Sequence, residues 1–225
     1  NGILLIEDCA HAPGAKINDN YCGTFGDASF FSFFSNKNLS VGEGGMVFCK
    51  NEEINKRVQL MRSHGMSAVT LDRHEGRSFS YDITSFGLNY RPDEIRGALG
   101  IVQLSKLVNG NQKRKKLVKR YIENLDPTKL QIPFLNTPKH HVSAFHIMPV
   151  LLPKETNRES VMKQLKSDGV QTSIHYPNFK NFMVYKQMFE HIKIPVVDEI
   201  CARELSLPLH PRMSLEDVDY ISQCL

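Results

Sequence analysis

Four features near the start of the chain carry groups that could do chemistry together. Asp8 ends an apolar run, Ser32 lies in an aromatic segment, Lys37 follows five residues later, and a Gly-Glu-Gly-Gly cluster spans 42–45. Each feature alone has an ordinary explanation, because a lone lysine is most often a solvated surface residue and glycine clusters mark turns. Together they supply an amine, a carboxylate, a hydroxyl and a glycine-rich turn.

This combination matches the requirements of pyridoxal 5′-phosphate (PLP) chemistry. Such chemistry needs a lysine that forms an imine with the cofactor, a carboxylate that keeps the pyridine nitrogen protonated, and hydroxyls or backbone amides that hold the phosphate. Lys37, Asp8 and Ser32 can fill these roles in turn. Other phosphate-binding patterns fail, since no Gly-x-Gly-x-x-Gly follows a strand and no Walker glycine pattern precedes Lys37.

The element that would position the carboxylate is an apolar run at the start of the chain. The β-branched and leucine residues of Ile3–Ile6 predict a buried parallel strand that delivers Glu7 and Asp8 at its carboxyl end. That edge of a sheet is where α/β proteins bind their ligands. We therefore expect the carboxylate to face a binding site.

The rest of the chain alternates strand and helix patterns. From Arg91 the pattern is helical for more than thirty residues, with an interruption near 109–111, and we expect this helix to join two domains, 1–108 and 109–225. Segment 65–87 has little periodicity and predicts a long functional loop. The other predicted strands lie at 29–34, 46–49, 144–152 and 170–175, the other helices at 52–63, 158–167 and from about 215, and the N-caps at Asn51, Thr156 and Ser214.

Composition argues against several classes of protein. With 41% hydrophobic and 23% charged residues the chain is typical of soluble globular proteins, and no apolar stretch approaches the roughly 20 residues that span a bilayer, so we expect a cytoplasmic protein without membrane contact. The scattered cysteines and the absence of His-Glu-x-x-His predict neither a disulfide framework nor a metal site. The basic run 113–116 lies in a helical pattern, which favours a solvated helix face over nucleic-acid binding.

Beyond composition, the sequence resembles the DegT/DnrJ/EryC1/StrS family of sugar aminotransferases. The matching motifs occur in family order along essentially the whole chain: IEDCAHA at 6–12, SFFSNKNL at 32–39 with GEGG at 42–45, GLNYRPDEI at 87–95, LGxxQL at 99–104, HYP at 175–177 and LPLHP at 207–211. The resemblance implies an α/β fold of type I, like aspartate aminotransferase. Residues 1–108 would form the C-terminal part of the PLP-binding large domain, and 109–225 a small α+β domain.

The resemblance also implies an activity and partners. Family members work as homodimers with shared active sites and usually transfer an amino group from glutamate to a keto group on a nucleotide-linked sugar, in the biosynthesis of cell-surface polysaccharides or secondary metabolites. They carry a further segment ahead of the Glu7-Asp8 strand, so we expect this sequence to begin inside a longer protein.

Two other functions stay open. One is a non-catalytic or truncated paralogue that keeps the fold for assembly; the intact set of Asp8, Ser32, Lys37 and Asn89 argues against decay of the site. The other is a PLP-dependent sugar dehydratase. The dehydratases of the family replace the cofactor lysine with histidine, so Lys37 argues against it.

By motif, the resemblance assigns roles to residues near the cofactor. Lys37 makes the Schiff base, Asp8 pairs with the pyridine nitrogen, His11 lies against the ring, and Ser32 binds the phosphate. Asn89 reaches the phosphate in the neighbouring subunit's site. His11 has a structural alternative as well, in which it only packs or hydrogen-bonds at the end of its strand.

The resemblance places His175 and Tyr176 near the sugar substrate. A structural alternative remains for His175, which would only anchor a turn, and Arg91 is expected to pair with an acidic neighbour rather than to contact substrate. Two interpretations stay open for the loop 64–85. It only forms surface, or it binds a nucleotide diphosphate, which its basic side chains would suit, namely His64, Arg73, His74 and Arg77.

Overall fold

The computed structural model describes residues 2–67, 75–76 and 79–225. The chain divides into two compact units, Asn1–Val108 with His140–Ala144, and Asn109–Lys139 with Phe145–Leu225. Over the described residues we find no helix that combines the length and the apolar character needed to cross a membrane.

The elements in chain order are β1 (Ile6–Asp8), β2 (Lys16–Ile17), β3 (Asn20–Tyr21), β4 (Ala28–Ser32), β5 (Gly45–Cys49), α1 (Glu52–Met61), α2 (Glu94–Asn124), β6 (His141–Val142), β7 (Met148–Leu151), α3 (Arg158–Ser167), a 3₁₀ turn (Phe179–Asn181), α4 (Met183–Phe189), α5 (Pro195–Arg203), β8 (Glu204–Leu207) and α6 (Leu215–Gln223).

The main sheet of the first unit has the strand order β1-β4-β5. Strand β1 pairs in parallel with β4, and β4 pairs antiparallel with β5. The register sets Asp8 opposite Phe30, so the carboxyl end of β1 lies beside the middle of β4. The predicted parallel pairing is confirmed, but the strand spans Ile6–Asp8 and not Ile3–Ile6, so the two acidic residues lie within it.

Burial of that strand was wrongly predicted for this chain. Ile3 is 83% exposed and Ile6 is 65% exposed. The physical reason is that β1 is an edge strand, with β4 as its one neighbour in the sheet. A continuous apolar run is buried only when other layers cover both faces of its sheet, and in this chain the run stays in contact with solvent.

A smaller sheet, β3-β2-β6, holds the lysine-bearing loop from one side. Asn18 and Asp19 adopt positive φ angles of 48° and 65° between β2 and β3, as a tight hairpin turn requires. Strand β6 pairs with β2 and brings segment 140–144 into the first unit. Its neighbour Ala144 is buried, and the Ala144 carbonyl accepts a hydrogen bond of 2.7 Å from the side-chain amide of Asn38.

Helix α1 begins where its cap was predicted. The side chain of Asn51 accepts hydrogen bonds from the backbone N–H groups of Glu53 and Ile54 at 2.8 and 3.1 Å. Beyond α1, the described residues up to the start of α2 form isolated bridges and bends, which agrees with the predicted long loop. Arg73, His74 and Arg77 lie outside the described residues.

Helix α2 runs without the interruption predicted near 109–111. It spans 31 residues, with Gly110 inside it. A glycine in a helix costs only about 1 kcal/mol relative to alanine, so packing readily overrides it. Here Nη1 of the buried Arg114 lies 3.2 Å from the position that a Cβ at residue 110 would take, so the guanidinium occupies the space that the missing side chain leaves.

The core of the second unit forms where the end of α2 meets the paired strands β7 and β8 and helices α3 and α6. Strand β7 pairs antiparallel with β8, which the sequence pattern did not predict. The segment 170–175 is not a strand and contributes one bridge, between Ser173 and Ser206. The core side chains are Leu117, Tyr121, Leu125, Leu130, Met148, Val150, Leu152, Leu165, Val170, Leu205, Leu207, Val218 and Ile221.

The helix starts in this unit were predicted with mixed success. Helix α3 covers 158–167 as predicted, but its N-cap is Asn157, whose side chain accepts from the Ser160 N–H, and not Thr156. The capping box of α6 is confirmed, since Ser214 and Asp217 exchange side-chain and backbone hydrogen bonds. Asparagine caps a helix as well as threonine does, so a one-residue shift costs little.

Candidate active site

Lys37 lies in the loop that joins β4 to β5. Backbone hydrogen bonds fold this loop back on itself: Phe33 N–H donates to Gly44 at 2.8 Å, and Val41 N–H donates to Phe33 at 2.9 Å. The Lys37 N–H donates to the Phe34 carbonyl at 2.9 Å, which turns the chain at the lysine. Because the side chains of Leu39 and Val41 are buried, the loop is anchored on the side that follows Lys37.

The glycine cluster at 42–45 is required by the backbone of this loop. Gly42 has a φ of 89°, a left-handed conformation that side chains disfavour. A Cβ at Gly45 would lie 2.7 Å from the carbonyl oxygen of Phe31 on the paired strand. The glycines therefore let the chain return to the sheet and hold the lysine at the end of β4.

The Nζ atom of Lys37 lies 2.7 Å from Nε2 of His11. Both side chains are half-buried. Burial lowers the pKa of Lys37, and the negative charge of Asp8 opposes part of that shift. The lysine is thus biased toward the neutral amine, which is the form that attacks a carbonyl. The motif placed His11 near the cofactor but did not predict its contact with Lys37.

Two consecutive carboxylates at the end of β1 have different partners. Glu7 accepts three backbone hydrogen bonds of 2.7 Å, from Gly23, Phe25 and Gly26. Burial by itself would raise the pKa of Glu7, but these bonds and the charge of Lys50 outweigh it, and the pKa is lowered. Asp8 accepts from Ala10 N–H at 3.0 Å through one oxygen. Since neighbours on a strand point to opposite faces, Glu7 holds the loop and Asp8 is the carboxylate on the side of Lys37.

Ser32 ends β4, five residues before the lysine. Its Oγ accepts a hydrogen bond of 3.3 Å from the backbone N–H of Phe34. A hydroxyl that accepts in this way keeps its own proton for donation to a further acceptor. The structure therefore brings Asp8, His11, Ser32 and Lys37 to one end of the β1-β4 pair.

Asn89 lies apart from this group, against the end of α1, where it forms a bridge with Ser63. Arg91 Nε donates to Asn89 Oδ1 at 3.0 Å, and Arg91 Nη1 lies 3.4 Å from Ser63 Oγ. Among the described residues the hydrogen-bond partners of Arg91 are neutral, and the expected pairing with an acidic neighbour stays a prediction. Because Asn89 Oδ1 accepts from Arg91, its NH₂ group is the end left to act as a donor.

An open groove of about 980 Å³ adjoins Asn89. Its walls come from β4, β5, α1 and the segment that leads into α2, and three arginines line it, namely Arg62, Arg91 and Arg96. One of them, Arg96, is paired with Asp93. Among the described hydrogen bonds, none joins Asn89 to Asp8, Ser32 or Lys37.

His175 and Tyr176 belong to the second unit. The His175 backbone N–H donates to Glu204 Oε2 at 2.8 Å, and its Nδ1 lies 2.8 Å from Ser206 Oγ. The ring of Tyr176 packs edge-on against that of His175, with 5.0 Å between centroids. Glu204 and Ser206 were missed by sequence reasoning, although polar residues alternating with leucines in Glu204–Leu207 were the available signal.

The donor set around Lys37 fits PLP. It contains an amine whose pKa is lowered, a carboxylate close enough to act on that amine electrostatically, and a hydroxyl with a proton to donate. Glu7 is excluded as the ring partner, because its two oxygens already hold three backbone amides. Among the described residues, no group of three or more His, Cys, Asp or Glu side chains could hold a metal ion.

Comparison with known proteins supports this assignment. The chain is 34% identical over 225 residues to the uncharacterized protein MJ1066 of Methanocaldococcus jannaschii, which covers 96% of this chain and 57% of MJ1066. Helicobacter pylori PseC, an aminotransferase involved in the biosynthesis of pseudoaminic acid, superposes with a TM-score of 0.88 at 28% identity over 99% of this chain and 58% of PseC.

A third relative has been solved with and without the cofactor. The putative sugar aminotransferase Spr1654 of Streptococcus pneumoniae, in its PMP-form, matches with a TM-score of 0.88 at 27% identity over 99% of this chain and 58% of Spr1654. The same protein is known in a PLP-form. The chain thus spans a little over half the length of the relatives it matches.

These structural matches confirm the expected fold of type I, and the family is one of PLP-dependent aminotransferases. The sequence profile of the DegT/DnrJ/EryC1/StrS aminotransferase family matches residues 1–225. With the lysine loop, the Asp8 strand end and the relatives in agreement, the chain belongs to the DegT/DnrJ/EryC1/StrS aminotransferase family.

Proposed function

We propose that this chain carries the cofactor lysine of a PLP-dependent sugar aminotransferase. The observation that supports this most directly is the position of Lys37, half-buried, 2.7 Å from His11 and within the field of Asp8. A surface lysine without a function would stay fully solvated. The PLP dependence of the family agrees with this role.

The residues around Lys37 would hold the cofactor at several points. Lys37 would supply the amine for covalent attachment, Asp8 would hold the protonated pyridine nitrogen, and Ser32 would donate to the phosphate. When bound, PLP supplies a ring that takes up the electron pair left by loss of a proton from the amino donor. Asn89 would donate its NH₂ group to the phosphate in the site of a second subunit, in a homodimer with shared sites.

Lys37 is also the proton carrier in this scheme. A lysine with a lowered pKa is neutral in a larger fraction of molecules near neutral pH, so its Nζ can take the proton from Cα of the amino donor. Nε2 of His11 lies within hydrogen-bond distance of the same Nζ atom, at 2.7 Å, and keeps the amine directed. Burial lowers the pKa of the half-buried lysine, and the charge of Asp8 opposes part of that shift.

The substrate class rests on the relatives. PseC is an aminotransferase involved in the biosynthesis of pseudoaminic acid, and Spr1654 is described as a putative sugar aminotransferase. We therefore expect a nucleotide-linked ketosugar as acceptor and glutamate as amino donor. His175 and Tyr176 would contact the sugar, and residues 1–108 and 109–225 would serve as parts of a cofactor domain and a small C-terminal domain.

Borohydride reduction followed by peptide mapping tests the proposal. The intact protein is loaded with PLP, reduced and digested, and the pyridoxyl group is located by mass spectrometry. We expect it on Lys37, and we expect amino transfer from glutamate to a nucleotide-linked ketosugar to be lost in Lys37→Ala. Lys50→Ala is the matched control, because Lys50 donates to the Phe25 carbonyl and is exposed. Labelling of Lys50, or of no lysine at saturating PLP, would overturn the proposal.

A further inference from the structure

Asn38, the residue after Lys37, ties the lysine loop to a distant part of the chain. Its side-chain NH₂ group donates a hydrogen bond of 2.7 Å to the carbonyl oxygen of Ala144, 106 residues further along. Asn38 is half-buried and Ala144 is buried, so water competes little for the donor and the acceptor. A hydrogen bond in such a place is stronger than one on the open surface.

The stretch that precedes Lys37 gives the lysine little support. Residues 34–36 are exposed. The Lys37 N–H donates to the Phe34 carbonyl, and Phe34 forms a bridge with Gly42 across the loop. Both contacts hold the loop to itself. The Asn38 bond instead holds the tip of the loop to a different segment of the same unit.

That segment, 140–144, also supports the stretch that carries His11. Its strand β6 pairs antiparallel with β2, and the Asn18 N–H donates to the His140 carbonyl at 3.1 Å. Two successive backbone turns within 9–15, closed by hydrogen bonds of 3.0 and 2.9 Å, lead from His11 to β2. The two side chains that meet at 2.7 Å are thus attached to one short segment of the chain.

We infer that Asn38 is a positioning residue, which fixes the tip of the lysine loop on segment 140–144 and so keeps Lys37 Nζ beside Nε2 of His11. The competing explanation is that Asn38 only stabilises the fold. The two explanations differ in the fate of the amine when the bond is lost. Because burial lowers the pKa of Lys37, a tip that leaves its support exposes the amine and raises this pKa. A loss of stability alone leaves the pKa in the folded protein unchanged.

The use of this positioning in catalysis rests on the proposed function, but the placement of the amine does not. In the proposed function Lys37 attaches the cofactor and carries a proton. Proton transfer requires the two heavy atoms to come within hydrogen-bond reach. A side chain on a loose loop meets that condition only part of the time, so a fixed tip is worth a measurable factor in rate.

The pH dependence of Lys37 modification tests the inference on the intact, cofactor-free protein. The protein is treated with acetic anhydride at a series of pH values, and acetylation of Lys37 is followed by mass spectrometry. In Asn38→Ala we expect the midpoint to move to higher pH by about half a unit or more. The shift is opposite in sign to the one expected when Asp8 loses its charge. Hydrogen exchange of the amides of 37–41 should be about threefold faster as well.

Two further variants separate the hydrogen bond from packing and from general stability. Asn38→Leu keeps nearly the shape of asparagine and removes the donor, so it should shift the midpoint as Asn38→Ala does. It also decides the question should Asn38→Ala fail to fold. Asn20→Ala is the matched control in the same small sheet, because the Asn20 side-chain amide donates to the Asn18 carbonyl at 3.2 Å. It should leave the midpoint and the exchange of 37–41 unchanged.

The outcomes distinguish the inference from the proposed function. An unshifted midpoint in Asn38→Leu would overturn the inference, because the hydrogen bond would then not hold the amine. In protein loaded with PLP, Asn38→Leu should lower kcat for amino transfer about tenfold, with smaller changes in the KM values for both substrates. A shifted midpoint with an unaltered kcat would overturn the catalytic part. Labelling of a lysine other than Lys37 after borohydride reduction would instead refute the proposed function and leave the placement of the amine standing.

Discussion

The side chains of Lys37 and His11 meet at 2.7 Å between Nζ and Nε2, although 26 residues separate them in the sequence. One of the two nitrogens must donate and the other accept, and the tautomer of His11 decides which of them donates. Burial lowers the pKa of the lysine, and Asp8 raises it again in part. The environment of the Lys37 amine is therefore formed by His11 and Asp8, which lie at the end of β1, together with the loop that follows β4.

Asp8→Asn should lower the pKa of Lys37 further. The carboxylate stabilises the ammonium electrostatically, and its loss leaves burial unopposed. The pH profile of Lys37 modification in the cofactor-free protein, followed by mass spectrometry with a lysine reagent, should shift to lower pH. Asp19→Asn is the control, because residue 19 adopts a left-handed turn that asparagine tolerates. A profile unchanged by Asp8→Asn would mean that Asp8 does not act on the lysine.

Glu7→Gln should destabilise the fold rather than impair chemistry. The carboxylate holds three backbone N–H groups, and an amide can accept with one end only, so the free energy of unfolding should fall by about 1–3 kcal/mol at neutral pH. The folded-state pKa of Glu7 is lowered from its usual 4.5. The stabilisation of the fold by Glu7 is therefore complete above about pH 4.5, and it is lost as the pH falls through the lower folded-state pKa. Urea unfolding at several pH values measures this.

The difference between Glu7→Gln and wild type should shrink on acidification, because protonated glutamate loses the same contacts. Glu155→Gln, at an exposed position of the second unit, should leave stability unchanged at every pH. A constant difference across the acid range would show that the loss comes from packing and not from the charge.

Gly45→Ala should destabilise the first unit by about 1–3 kcal/mol, the usual cost of forcing an extra atom into a filled space. The new methyl group would meet the carbonyl oxygen of Phe31 at 2.7 Å. Gly97→Ala is the opposite case, since a Cβ there meets nothing within 4 Å on helix α2, and it should stabilise by up to about 1 kcal/mol. The denaturant midpoints of the two variants are each compared with that of the wild type. Equal effects of the two substitutions would contradict the close approach of Gly45 to the Phe31 carbonyl oxygen.

Shared sites in a homodimer should allow two defective variants to complement. Lys37→Ala removes the amine, and Asn89→Asp sets a negative charge against the cofactor phosphate. If Asn89 serves the partner's site, a mixed dimer has one site with both lesions and one with neither. Activity should then return to about half the wild-type value per heterodimer, as two-fold symmetry requires. Purified heterodimer without any recovery would place Asn89 in its own subunit's site or in none.

Local signals in the sequence predicted much of the lysine loop. The glycines at 42–45 mark a return of the chain that only small residues permit, and caps at Asn51 and Ser214 gave the starts of two helices. These features depend on a few neighbouring residues, and hydrogen bonds within one turn determine them. The fold type followed from the motifs.

Long-range pairing was harder to predict. The contact of His11 with Lys37 and that of Ser206 with His175 join residues 26 and 31 positions apart, and no local pattern encodes them. Strand β8 was not predicted, and β7 was predicted at 144–152 but spans Met148–Leu151, because a strand extends only as far as its partner does. The predicted break in α2 failed because packing of Arg114 over Gly110 outweighs a weak local preference.

The adjacent acids of β1 have a consequence for insertions and deletions. Glu7 binds the loop amides and Asp8 lies on the side of Lys37 only because the two side chains project to opposite faces of one strand. A deletion of one residue in segment 3–6 that shifts the strand by one position would exchange the two faces. The loop amides would then lose their carboxylate and the lysine would face the wrong acid, so natural length variation should be absent from this short segment even though it contains none of the residues that would contact the cofactor.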